Sequence, residues 1–186
     1  MANINNPNGL FPVRHLFGND MRTEAYGIAS GLAENIGLGA PVKSTGTGKR
    51  IQLGAPGDTL RGVFGGVEWI DATGTPQYAP NWTSGTVTKG AVDAVALVYD
   101  DPNILFQVQA SGAFALANVG ANADLTANGV NSTGLSTAQL DSGTYTTAAA
   151  QLRIYDYVRD DINEVGPNAK LLVLINEHEL KGLAGV

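Results

Sequence analysis

The stretch from Asp93 to Gly112, DAVALVYDDPNILFQVQASG, constrains the fold more than any other. Ala94 to Tyr99 is an apolar run of strand length, suited to a strand buried on both faces. Ile104, Phe106, Val108 and Ala110 then alternate with Leu105, Gln107, Gln109 and Ser111, the two-residue period of a strand with one drier face. Asp100-Asp101-Pro102-Asn103 lies between them. Asp101 suits the first position of a turn, proline presets φ for the second, and asparagine tolerates the third. The reading is a central β-hairpin against which weaker strands pair.

No stretch of a dozen residues has a helical period, so helices are expected to be few and short. The other β-segments are short and separated by turn signals. Tyr26 to Ala29 and a point near Ile36 read as strands, and Ser44 to Lys49 as a polar turn leading into Arg50 to Leu53. Leu60 to Ile70 is a strong strand whose Gly65-Gly66 pair marks a bulge or corner. Asp71 to Gly74 reads as a turn, residues 75–92 as an irregular connection, and 117–142 as loops or short edge strands. Leu152 to Val158 and Lys170 to Asn176 close the chain, the latter apolar on both faces. Residues 1–22 (four asparagines in the first nine positions, then LFPVRHLFGNDMR) have no sustained period and read as an extended N-terminal arm. The expectation is an arm at 1–22 and one all-β domain at 23–186, a jelly-roll, barrel-like or sandwich fold.

Charge narrows the function. The chain of 186 residues has 11 Lys and Arg against 17 Asp and Glu, a net charge of −6, and the cations are scattered. A nucleic-acid partner, which needs clustered cations for phosphates, is not expected. Cysteine is absent, which removes disulfides, thiolate metal sites and a cysteine nucleophile. No secretory signal is expected from the N-terminal residues, and no apolar run approaches membrane-spanning length. Only 15% of residues are charged, so part of the surface suits a protein partner.

Chemistry has few footholds. Ser44 to Arg50 contains glycines and a lysine, but a phosphate loop needs glycine where Lys43 stands and Ser or Thr where Arg50 stands. Glu177-His178-Glu179 lacks the second histidine of a zinc helix, since position 182 is glycine. His178 reads as a surface or rim histidine. Asp100-Asp101 and Asp160-Asp161 read as turn formers, not calcium ligands. Asn81-Trp82-Thr83 and Asn131-Ser132-Thr133 match a glycosylation pattern that means nothing without export. No catalytic, metal or cofactor residues are assigned, and an enzyme is not expected.

Taken in order, PVRHL (12–16), RIQLGAPGDTLRGVFGGVEWIDATG (50–74), VYDDPNILFQVQASG (98–112), VGANADL (119–125), QLRI (151–154) and AKLLVLINEHE (169–179) resemble the capsid decoration, or cement, proteins of tailed bacteriophages. The resemblance implies a β-rich protein made in the host bacterial cytoplasm and bound in many copies to the outer surface of the virion capsid. Its partners would be the major capsid protein and copies of itself, a homotrimer being favoured and a dimer the alternative. It carries over no catalytic residues.

The contact with the shell or a neighbouring copy is expected on the arm. Leu10, Phe11, Leu16 and Phe17 are apolar groups unsuited to water, Arg14 and Arg22 suit acidic groups on a coat subunit, and His15 lies among them. The alternative function is a virion-surface module gripping host glycans through Trp69, Tyr78 and Trp82.

Overall fold

The computed structural model describes residues 3–182. It has eleven strands: β1 (Phe11–His15), β2 (Glu24–Ile28), β3 (Pro41–Ser44), β4 (Ile51–Leu53), β5 (Gly62–Ile70), β6 (Pro76–Ala79), β7 (Ala94–Tyr99), β8 (Ile104–Gln109), β9 (Asn122–Ala123), β10 (Leu152–Tyr157) and β11 (Lys170–Ile175). The helical segments among the described residues are single 3-10 turns at 89–91, 116–118 and 179–181. All strand pairs are antiparallel, and they form two sheets. One runs β1-β8-β11-β10-β9; the other runs β2-β7-β5-β3-β4, with β6 paired to β5. The all-β class is as expected.

The central hairpin is not. Both strands form where the sequence placed them, but β7 pairs with β2 and β5 while β8 pairs with β1 and β11. The turn between them is a corner where the chain leaves one sheet for the other. It has the expected form: Ile104 N–H donates to Asp101 O at 3.2 Å, and Asn103 N–H donates to Asp101 Oδ1 at 2.8 Å. The proline explains the departure. Two-residue hairpin loops need positive φ at their first central position so that their twist matches the strands. Pro102 locks φ negative there, and strands joined this way splay apart.

The six-stranded sheet curls until its ends meet. Gly27 of β2 bridges in parallel to Arg50 beside β4, with Gly27 N–H donating to Lys49 O at 2.7 Å. A Cβ at Gly27 would stand 2.8 Å from Asp93 Oδ2 and 3.2 Å from Arg50 Cγ, so a larger residue at the seam would push the Asp93–Arg50 pair aside. The expected bulge at Gly65-Gly66 is present. The β5–β7 register shifts between Phe64 and Gly66, and Gly66 takes φ +136°, bending β5 around the barrel. Inside lie Tyr26, Ile28, Ile36, Val42, Ile51, Phe64, Val67, Trp82 and the small residues Ala94 and Ala96 of β7. β6 is a strand the sequence reading missed. It sits at the sheet's edge, where its leading proline costs no ladder bond.

The five-stranded sheet covers a second core of Phe106, Val108, Leu125, Leu140, Leu152, Ile154, Leu171 and Val173, joined by Leu60 and Val63 from the β5 region. Residues 117–142 supply Leu125, Ala138 and Leu140 to it from loops and isolated bridges. The faces of β7 and β8 are reversed from expectation. β7 exposes Val95 on the barrel's outside, while β8 is covered almost throughout. The second face of β8 is sealed by the N-terminal segment: Gln109 Nε2 donates to Ile4 O at 2.8 Å, and Asn6 N–H donates to Gln109 Oε1 at 2.9 Å.

That contact corrects the reading of residues 1–22 as an arm separate from the β-domain. Leu10 is fully buried in the second core, and β1 is an edge strand on β8. The first 15 residues, apart from Met1 and Ala2 outside the described range, belong to the body of the protein.

Candidate contact surface

The seven residues singled out for contact separate into two sets. Leu10 is in the core, and His15 is buried with Nε2 3.1 Å from Asp101 Oδ2. Neither is free to meet a partner. Phe11 and Leu16 are half-buried along β1 and just beyond it. Arg14, Phe17 and Arg22 are exposed, Phe17 by 74%. Val13 and Met21 join them at the surface. The sequence reading missed both; in an aperiodic segment only the β1 pairing reveals that Val13 points outward.

The exposed loop 16–23 is held at both ends by the corner turn. At its start, His15 bonds Asp101, Leu16 N–H donates to Asn103 O at 3.0 Å, and Phe17 N–H donates to His15 Nδ1 at 3.1 Å. At its end, Tyr26 Oη donates to Asp100 Oδ2 at 2.7 Å, and Arg61 Nε donates to Tyr26 Oη at 2.6 Å. The two aspartates read as turn formers therefore also clamp the loop. Burial works to raise the pKa of Asp101, but the Asn103 backbone and side chain and His15 outweigh it and hold the carboxyl below its usual range. Burial, then the Asp100 carboxylate, pushes the Tyr26 hydroxyl well above its ordinary value, so it stays a donor.

Between loop and turn lies a hollow of about 620 Å³ lined by Asp20, Arg22, Glu24, Asp100 and Asp101. Arg22 is its cation, and its side chain makes no ion pair among the described residues. On the other side, the Arg14 guanidinium reaches across the face of the sheet to lie 5.7 Å from the ring centre of Tyr155 on β10, a cation on an aromatic face. What this surface offers is a ridge of apolar side chains with two arginines. No cluster of three or more His, Asp or Glu side chains able to hold a metal ion occurs among the described residues.

Two other readings are corrected. Trp82 is fully buried, edge-on to Trp69 at 5.9 Å between ring centres, so Trp69, Tyr78 and Trp82 do not form an open stacking platform. His178 is buried, not at a rim. Its Nδ1 accepts from Leu180 N–H at 3.1 Å, its Nε2 has no partner, and burial with nearby Lys181 and Arg61 pushes its pKa down to about 4. Residues 177–181 form a strap there, pairing with Leu60 and placing Glu179 against Ser44 and Arg61. Nothing local to EHE signals this burial; it follows from where β11 ends.

Compared with protein-family models, curated proteins and solved structures, the chain matches none.

Proposed function

We propose that the protein is a structural component of a tailed-phage virion that binds the outside of the head and cements neighbouring coat subunits. The grip is the loop 16–23 together with the open edge of β1. The observation that supports this reading is Phe17, largely exposed on a loop that is fixed at both ends. Burying Phe17 against a partner removes apolar surface from water, and a pinned loop loses little entropy on docking. The turn that pins it, VYDDPN, is also the stretch that most resembles the decoration proteins. A copy that touches several coat subunits gains by effective concentration, so modest single contacts suffice to resist the pressure of packaged DNA.

The test uses undecorated heads and the full chain. Phe17→Ser and Arg22→Glu should each weaken binding roughly thirtyfold, as loss of a central anchor does, with thermal unfolding unchanged. Unaltered affinity in both variants overturns the assignment of this surface.

A further inference from the structure

On the far side of β5, the outside of the barrel carries a groove of about 780 Å³ shaped by Ile70, Tyr78, Val92 and Val95. Tyr78 and Val92 are each about two-thirds exposed, at 67% and 68%. Strand register sets Glu68 opposite Tyr78 on β6 and opposite Val95 on β7, so a carboxylate stands in the middle of an apolar row. Lys89 lies on the same groove. Neither the Glu68 carboxylate nor the Lys89 ammonium has an ionic or hydrogen-bonding partner among the described residues. The groove's other carboxylate, Asp93, is already held by Arg50 Nε and Nη2, which donate to it at 2.5 and 2.8 Å.

An occupant of this groove must bring a cation to Glu68, an anion to Lys89 and apolar surface between them. Covering Glu68 without a counter-charge is costly. The chain's net charge of −6 opposes contact between most of its faces, but here the charges balance. We propose that the groove docks a second copy of this chain through a two-fold axis. Each Glu68 then meets the other copy's Lys89, and Tyr78, Val92 and Val95 pack across the axis. A two-fold contact repeats each pair twice, which a single self-complementary patch requires. The inference is independent of binding to a phage head.

Sedimentation of the free full-length chain at rising concentration tests it. The wild type should pass from monomer to dimer, and Val92→Asp should abolish the dimer while melting like the wild type at concentrations where both are monomeric. Glu68→Lys and Lys89→Glu should each weaken association about tenfold, since both pairs become repulsive. Joining the two substitutions should restore it. A persistent monomer, a trimer, or a double variant no tighter than the singles overturns the proposal. So would variants that dimerise normally but fail on heads, which would make the groove a coat contact.

Discussion

The curled sheet takes all its strands from one uninterrupted stretch, residues 24–99, whereas the five-stranded sheet takes β1 from before it and β8–β11 from after it. Each has its own apolar core, and Leu60 and Val63 carry side chains from the first stretch into the core of the second. The barrel half is completed by glycines at a seam and a bulge. The other half is completed by distant segments: the N-terminal residues seal one face of β8, and loops 117–142 fill the core beneath the other. A local unit and a composite one therefore share a body. The joints between them include the shared core residues, the Asp100–Asn103 corner, the strap at 177–181 and the bridge of Leu38 to Leu135.

How strongly the joints couple the halves can be measured, because both tryptophans, Trp69 and Trp82, lie in the barrel half. Phe106→Ala, in the composite core, should cost about 3–5 kcal/mol. If the halves unfold together, tryptophan fluorescence will report the whole loss as a shifted denaturation midpoint. A shift seen by circular dichroism but not by fluorescence would break the molecule into two independent units.

Leu10→Ala should cost about 2–5 kcal/mol for the same reason, despite its place so near the N-terminus. Deleting residues 1–15 should then unfold the composite half instead of trimming an arm. A truncated protein with the parent's melting temperature would restore the arm reading.

The strap carries a pH dependence. His178 titrates near 4 in the folded protein and near 6.5 when unfolded, so the unfolded chain binds the extra proton between those values. Stability is complete above about pH 6.5 and falls as pH drops towards 4, by roughly 3 kcal/mol in all. His178→Leu should flatten this slope in denaturant titrations at stepped pH. An unchanged slope would assign the acid sensitivity to other groups.

Tyr26→Phe is the mildest cut, removing the hydroxyl between Asp100 and Arg61 at the corner for about 0.5–1.5 kcal/mol. It should also loosen loop 16–23, read as faster hydrogen exchange there. Equal exchange in both proteins would show that the contacts of His15 and Leu16 at its start suffice to hold the loop.

Much of this was legible. Strands at 94–99, 104–109, 152–157 and 170–175 follow from apolar patterning, and the bulge at Gly65-Gly66 from its glycines. Pairing was less so. Two good strands around a turn suggest a hairpin, yet Pro102 already argued against one through its fixed φ. The exposure of the candidate contact residues was read in part. Phe17, Arg14 and Arg22 are exposed, but Leu10 and His15 look equally available in sequence, because burial by a strand some ninety residues away (β8) leaves no local trace. His178 and Trp82 were missed for the same reason: their neighbours come from other segments.

The split of the composite sheet has a consequence on the ribosome. β1 is made first, and its partner β8 follows only after the 88 residues 16–103. At roughly 5–20 residues per second, β1 waits about 4 to 18 s on the nascent chain, long enough for the barrel segment to be complete and closing beside it. A strand left unpaired that long is a template for wrong partners. β1 is a poor one: it is short, Pro12 withholds a donor and Arg14 sets a charge on its face. The traits that suit β1 to an open edge in the finished protein also keep it out of trouble while the rest of its sheet is being made.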